Sequence, residues 1–332
     1  MKTTVRMVLS LLVAGLLLTA LMIWGEVSPA DAFERLSNLP PQAYALALAV
    51  HVGIYLLRAW RFRVLIPRAV RPTYTRALIS SSAHNLASYV LPAKTGEASF
   101  IVYMRTHAAV PASSGLASLV VARILDLTVL CGLMGVTCLV LSTADRYSNL
   151  WWLDGFGLVL CASTVLFGLL SWRVDLLVRL MGAVARGLKF ERIDLGRRIL
   201  ERMGSVAEAL RIAGGSGKLV YAAFLTVPVW LGVFAFYAVL VVPMGLPETI
   251  GFAEATFGSS LAMVANLLPV NGMAGFGTQE AGWVVGFSTL GVERELALAT
   301  GVGVHFIQLF NVVAMGLLAH LAMGAMPAAA RS

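Results

Sequence analysis

The sequence predicts an all-α polytopic membrane protein in which about six full spans and two re-entrant hairpins form an inverted-topology repeat. Three observations lead there. Hydrophobic residues make up 59% of the chain and charged ones 13%, with a mean hydropathy of +0.83, whereas soluble domains carry about 25% charged residues. The stretch Leu91-Pro92-Ala93-Lys94-Thr95-Gly96-Glu97-Ala98 has a second version, running from Leu268-Pro269 through Asn271, Gly272, Gly275 and Gly277 to Thr278-Gln279-Glu280-Ala281. Each follows an apolar segment with a serine pair (Ser81-Ser82, Ser259-Ser260), and each breaks an apolar run with glycine and small polar residues. Finally, the basic residues gather in two stretches, and their positions decide which way each span runs.

Taken in order, Lys2 and Arg6 precede an apolar run over residues 7–24. Ala30-Asp31-Ala32 has the pattern of a signal-peptidase site, but the run is long for a signal core, so an uncleaved first helix is expected. Residues 25–41 hold Glu26, Asp31 and Glu34 against Arg35, which suits the outer side. A second span covers 43–60. Arg58, Arg61, Arg63, Arg68, Arg71 and Arg76 then follow without an acid, so this loop is expected to be cytoplasmic. Spans at 114–141 and 151–172 lead into residues 173–218, with ten Lys and Arg against five acids, again cytoplasmic. Counting backwards, 151–172 runs inward and 114–141 outward, so residues 77–110 begin and end on the cytoplasmic side. The run before Pro92 is about 15 residues long and carries Ser80, His84 and Asn85, too short and polar for a span of roughly 20. A hairpin is expected there. The same parity yields a span at 219–243 kinked at Pro228, a hairpin at 250–292 entered from outside, and an inward span at 297–322. The repeats are thus 43–141 and 219–322 within one membrane domain, with both termini cytoplasmic. Residues 173–215 join them as an amphipathic linker on the inner surface.

The second helix of each hairpin is expected to start at its threonine, Thr95 or Thr278, a preferred N-cap residue. A helix N-terminus inside the membrane offers free N–H groups and a positive dipole end, which bind phosphate or carboxylate. Lys94 adds a full charge to the first tip, and Arg123 another from the neighbouring helix. Glu97 and Glu280 are expected to stabilise the helix starts and pair with the basic residues; contact with a cationic substrate group is the alternative. Arg123 and Asp126 lie 26 and 29 residues after Glu97, and His305 and Gln308 lie 25 and 28 after Glu280. Polar residues three apart therefore share a helical face in both halves.

Plainer readings stand beside these: a structural ion pair for Arg123 with Asp126, simple capping for the two threonines, interhelical hydrogen bonding for His305, Gln308 and Asn311, and a packed ring for His51. Gly272, Gly275 and Gly277 lack the strand–helix setting of a nucleotide loop. Cys131, Cys138 and Cys161 fall in apolar runs and read as buried or lipid-facing side chains. With no zinc spacing or Ser-His-Asp set, neither a cofactor nor a metal is expected. The 25 Lys and Arg against 17 acids read as topology and affinity for anionic lipid, not for nucleic acid.

The run Asn85…Leu91-Pro92…Gly96-Glu97…Arg105, followed by Ala122-Arg123-Ile124-Leu125-Asp126, resembles the first half of the lysylphosphatidylglycerol synthase transmembrane-region family. That family includes the flippase domain of the bacterial multiple peptide resistance factor and stand-alone membrane proteins. Leu268-Pro269…Gly275…Gly277…Glu280 resembles its second half, and the likeness runs from about residue 40 to 325. Three positions depart: Ala122 where the family usually has Glu, His305 where it often has Arg, and Asn271-Gly272-Met273-Ala274-Gly275 in place of a Pro-Gly-Gly tip. They bear on headgroup preference more than on fold. The soluble aminoacyl-transferring domain of larger relatives has no counterpart up to Ser332, so synthesis of aminoacylated lipid is not expected.

What the resemblance implies is movement of a lipid, an anionic phospholipid or a polyprenyl-phosphate lipid, between the leaflets of a bacterial inner membrane. The phosphate would sit among Lys94, Arg123 and the two helix N-termini. Asn85, Thr95, Glu97, Arg105, Asp126, Asn271, Thr278, Glu280, His305 and Gln308 complete the expected substrate-binding set, and a homodimer is compatible with it. The absence of an ATP-binding motif implies an ion gradient or downhill movement. Two other classes remain open. One is a membrane enzyme acting on lipid headgroups, with Glu97, Asp126 or Glu280 as acid or base; the other is a small-solute or ion-coupled transporter.

Overall fold

Inside a bilayer the backbone can satisfy its own polar groups only as helix or closed barrel, and this chain takes the helical solution. The computed structural model describes residues 28–91, 96–172, 216–266 and 273–326, with the isolated helical positions Gly15, Thr19 and Ile23. The expected first span at 7–24 (those three positions apart), the linker at 173–215 and the tip residues Pro92–Thr95 and Leu267–Gly272 lie outside it. Among the described residues the helices are α1 (Pro29–Ser37), α2 (Pro41–Leu65), α3 (Tyr74–Val90), α4 (Glu97–His107) and α5 (Ala112–Ser142). They continue with α6 (Trp152–Trp172), α7 (Ser216–Val241), α8 (Phe252–Ala265), α9 (Thr278–Thr289) and α10 (Arg294–Ala325), and no strand occurs. A 3-10 turn at Met273–Gly275 precedes α9.

Five of these, α2, α5, α6, α7 and α10, are long and apolar enough to cross a membrane. Their starts follow local rules: Pro41 opens α2 and Pro111 precedes α5, positions where the missing proline N–H costs nothing. The Thr73 hydroxyl caps α3 by accepting from the Arg76 N–H. Serine and threonine inside the apolar helices return their hydroxyls to carbonyls one turn back, as Thr226 does to Ala222 and Ser259 to Ala255. Pro228 sits within α7. Cys138 is buried, while Cys131 and Cys161 are partly exposed.

One expectation is corrected. The second span does not end at 60 but continues to Leu65, so Arg58, Arg61 and Arg63 belong to α2 and not to the following loop. Ala59, Phe62, Val64 and Leu65 are buried on that extension; the packing they provide keeps the helix going past three charged residues.

The packing has an internal correspondence. α2 lies along α7 through Ala47, Ile54, Val229, Val233 and Phe236. The short antiparallel pair α3–α4 packs on α2 and α5, as the pair α8–α9 packs on α7 and α10. The pairs also reach across: α3 packs on α10, and α8 on α5. Among the described residues, α6, held by α5, and the short α1, held by α10, stand outside this scheme, and α6 turns Leu158, Val159, Val165 and Leu166 outward.

The α8–α9 pair is in backbone contact. A Cβ placed on Gly286 would lie 2.4 Å from the Gly258 carbonyl oxygen, and one on Gly282 would lie 2.5 Å from that of Leu261. Small residues four apart permit such close approach between membrane helices. Gly286→Val should therefore separate the pair and lower stability by about 3 kcal/mol, the upper range for overpacking. Gly155→Ala, on an open surface of α6, should unfold within a few degrees of wild type. Thermal unfolding in detergent compares the two; equal midpoints would show that the close contact contributes nothing.

Candidate functional site

Residues spaced three and four apart bring Tyr55, Arg58, Arg61 and Phe62 of α2, Ser81, His84 and Asn85 of α3, and Arg123 of α5 around one cleft of about 430 Å³. Three guanidiniums among its eight lining residues define its character. Arg61 is almost fully buried and grips Asp126 with both terminal nitrogens, Nη1 to Oδ1 at 2.5 Å and Nη2 to Oδ2 at 3.2 Å. Its Nη1 also donates to the Thr226 hydroxyl. Asp126 accepts further from the Trp230 indole N–H at 3.0 Å and from Arg123 Nη1 at 3.3 Å. One carboxylate is thus held by donors from α2, α5 and α7.

Arg123 lies eleven residues into α5, roughly 17 Å along its axis. It clasps Glu97, the first residue of α4, through Nη2 at 2.7 and 2.9 Å and through Nε at 3.2 Å. This pair is the open side of the cluster, with side chains 48% and 36% exposed. His84 Nδ1 lies 3.1 Å from the Ser99 hydroxyl, and its Nε2 lies 4.0 Å from Glu97. Asn85 Nδ2 donates to the Tyr55 hydroxyl. Arg58 differs from its neighbours. Among the described residues it makes no hydrogen bond or ion pair, and it faces the cleft. Among the described residues, three guanidiniums against the Asp126 and Glu97 carboxylates leave one positive charge in excess.

The second half places its polar residues differently. Glu280 Oε1 meets His305 Nδ1 at 2.5 Å, both side chains fully buried. Glu280 Oε2 accepts the Gly277 N–H at 2.7 Å, and His305 Nε2 donates to the Ala274 carbonyl at 3.1 Å. Phe276 stacks on the imidazole. The tip preceding α9 is built on left-handed backbone: Ala274 has φ 58°, Gly275 88° and Gly277 84°. Beside it runs a chain of amides. Asn266 donates to Gln279 at 2.7 Å, Gln279 to Gln308 at 3.0 Å, and the Tyr237 hydroxyl to the same Gln308 oxygen at 2.9 Å. Gln308 in turn donates to the Tyr89 hydroxyl of α3. His51 is packed against Phe236 and accepts from Asn311 at 3.3 Å.

Of the expected site residues, the structure brings Asn85, Glu97, Arg123 and Asp126 together at the cleft. Glu280, His305, Gln308 and Thr278 form the second cluster, and Arg105 lies exposed on α4, away from the cleft lining. Lys94, Thr95 and Asn271 lie outside the described residues. Thr278 is not the cap it was expected to be. α4 starts at Glu97 after Gly96. α9 does start at Thr278, but Gly277 holds the cap position, and the carboxylate of Glu280 covers its N–H while Thr278 donates its hydroxyl to Gly275. That helix end already has its anion. Arg58, Arg61, His84 and Trp230 escaped the sequence reading. The available signal was Asp126, a carboxylate in an apolar helix that needs more donors than one arginine three residues away can supply.

Among curated proteins, a 132-residue stretch is 33% identical to the glycosyltransferase AglD of Haloferax volcanii. The match covers 38% of this chain but only 21% of that protein. No solved structure matches. The family comparison is far broader, extending over residues 7–316 and so over both clusters. By that match, the chain belongs to the family described as the lysylphosphatidylglycerol synthase TM region.

Proposed function

We propose that the protein moves a lipid with a phosphate-bearing headgroup between membrane leaflets, and that the cleft between α2, α3 and α5 holds the phosphate. The observation that carries this is Arg58, a guanidinium with no hydrogen bond or ion pair among the described residues, beside two paired ones and facing a cleft whose described residues carry one positive charge in excess. An unpaired cation at membrane depth is costly, and a phosphate oxygen is the partner a guanidinium fits best. The Glu97–Arg123 pair, half exposed on the side of the spans, suits a lateral entrance through which the acyl or prenyl chains stay in lipid.

Transport by alternating access is supported by the packing correspondence, α2 with α7, α3–α4 with α8–α9, and α5 with α10. On this reading α8 and α9, roughly 21 and 18 Å long, stop short of the ~30 Å hydrocarbon core and form a hairpin entered from the outside. α3–α4 is its partner, entered from the cytoplasmic side where Arg68, Arg71 and Arg76 lie. Rocking one half against the other would expose the cleft to either leaflet. The glycosyltransferase name of the Haloferax volcanii relative favours a second reading, chemistry on a lipid headgroup with Glu97 as acid or base. Product formed by the purified protein in detergent would select it.

Two outcomes test the site. In proteoliposomes with fluorescent phosphatidylglycerol, phosphatidylethanolamine and a polyprenyl phosphate, Arg58→Ala and Arg123→Ala should slow leaflet exchange about tenfold or more. That is the loss expected of one charge-assisted contact worth about 1.5 kcal/mol. Arg58→Ala should do so with an unfolding midpoint close to wild type, since Arg58 makes no hydrogen bond or ion pair among the described residues. Exchange at the wild-type rate in both variants would remove the cleft from consideration. Asp126→Ala, in contrast, strands Arg61 and should cost about 3–5 kcal/mol of stability, seen as loss of folded protein from the membrane. Pairing Asp126→Leu with Arg61→Met should restore most of it, because no charge is then left buried.

A further inference from the structure

The two halves hold their second hairpin helices alike but with different chemistry. Glu97 is clasped by Arg123, a cation under all ordinary conditions, whereas Glu280 is clasped by His305. His305 also donates from Nε2 to the Ala274 carbonyl. A carbonyl oxygen can only accept, so Nε2 carries a hydrogen. The Nδ1–Oε1 contact then needs a proton of its own, on nitrogen as imidazolium or on oxygen as carboxylic acid. The two contacts together therefore fit the proton-loaded form. With one proton fewer, a neutral imidazole has a single N–H for two acceptors. The carboxylate, being charged, keeps it, and the Ala274 carbonyl is left facing a lone pair.

The surroundings single out this pair. Phe276 covers the imidazole, and the Gly277 N–H occupies the far carboxylate oxygen. From α3 and α7 come the phenols of Tyr89 and Tyr237, both at Gln308, one turn from His305. From α2, His51 and Tyr44 reach Asn311, farther along α10. The Glu254 carboxylate of α8 is at the opposite end of its helix, at Gly251 and Tyr147. α1 carries Glu34 and Arg35, and Arg35 bonds the Met244 carbonyl. Among the described residues no second carboxylate or cation forms an ion pair or hydrogen bond with Glu280 or His305.

We infer that Glu280 and His305 form a proton-binding site through which one proton crosses with each singly charged headgroup. This rests on the reading of the cleft as the headgroup site. The mechanical link is the turn Met273–Gly275, which packs on α3, the helix that brings Ser81, His84 and Asn85 to the cleft. Releasing Ala274 loosens that turn. The electrostatic link is neutrality. Among the described residues the cleft carries one excess positive charge; the pair is neutral with its proton and carries one negative charge without it. Counted over the described residues, the two sites together are neutral with both anion and proton bound, or with neither. Either one alone leaves an uncompensated charge in a low-dielectric interior. Each ligand thus favours the other by the same factor, and the loaded carrier crosses electroneutrally.

The test uses the full-length protein in liposomes with fluorescent phosphatidylglycerol and a lumenal pH dye. An imposed gradient of one pH unit should drive leaflet asymmetry of up to about tenfold, the equivalent of one proton per lipid. Lumenal pH should shift in the direction of lipid movement, and a potassium–valinomycin potential should not change the asymmetry. His305→Arg and Glu280→Gln should each abolish the pH shift and the asymmetry. Glutamine still accepts from Gly277 and donates to the imidazole, so this variant guards against simple unfolding. Wild-type lipid movement without a lumenal pH shift would overturn the proton coupling and leave the headgroup site standing. No lipid movement by wild type, with or without the gradient, would overturn the headgroup reading and the coupling with it.

Discussion

Keeping one carboxylate, Asp126, charged among apolar helices sets the geometry of everything around it. Moving such a group out of water costs several kcal/mol even after relaxation, and the structure offsets this with donors from three helices. Arg61 supplies two from α2, Trp230 one from α7, and Arg123 a weaker one from Asp126's own helix. Because Arg61 and Trp230 nearly saturate Asp126, Arg123 is left able to turn outward to Glu97 and tie α4 to the bundle. Arg58, one turn before Arg61 on α2, forms no ion pair among the described residues and faces the cleft. The excess charge of the site follows from how the pairs were shared out, not from any residue acting alone.

The halves correspond in packing and diverge in chemistry. Each has a short helix pair set between two spans, with a glutamate near the start of its second helix and a nitrogen base on the span that follows. In the first half that base is a permanent cation, half exposed beside a cleft. In the second it is a buried imidazole whose other nitrogen steadies a left-handed turn. Gln308 joins them, since it touches Tyr89 near the end of α3, Tyr237 on α7 and Gln279 at the start of α9. Any motion of one half against the other must carry or break this amide's contacts, and buried amides give such contacts up only when others replace them.

Membrane class, the long apolar helices and the two places where helices break could be read from the chain because these depend on neighbours in sequence. Hydropathy adds up along a segment, and Leu-Pro followed by glycine interrupts a helix wherever it stands. The spacing of Arg123 and Asp126 from Glu97, and of His305 and Gln308 from Glu280, likewise marked matching helical faces in the two halves, since helix pitch is a local property, and the structure sets Arg123 on Glu97 and His305 on Glu280. The basic run from Arg58 to Arg76 was different. Local reasoning assigned it all to a loop, because arginines without acids beside an apolar span ordinarily mark the cytoplasmic side. Tertiary structure drew Arg58 and Arg61 into α2, since the acid that justifies them lies 65 residues beyond Arg61. It also replaced the expected Thr278 cap by Gly277 with Glu280, whose carboxylate folds back to accept the N–H at its own helix start. The sequence by itself determined which segments are long and apolar enough to cross a membrane and where the helices break. The fold alone decided which charges are neutralised and which one forms no ion pair among the described residues, because hydropathy is summed along the chain whereas charges are paired across it.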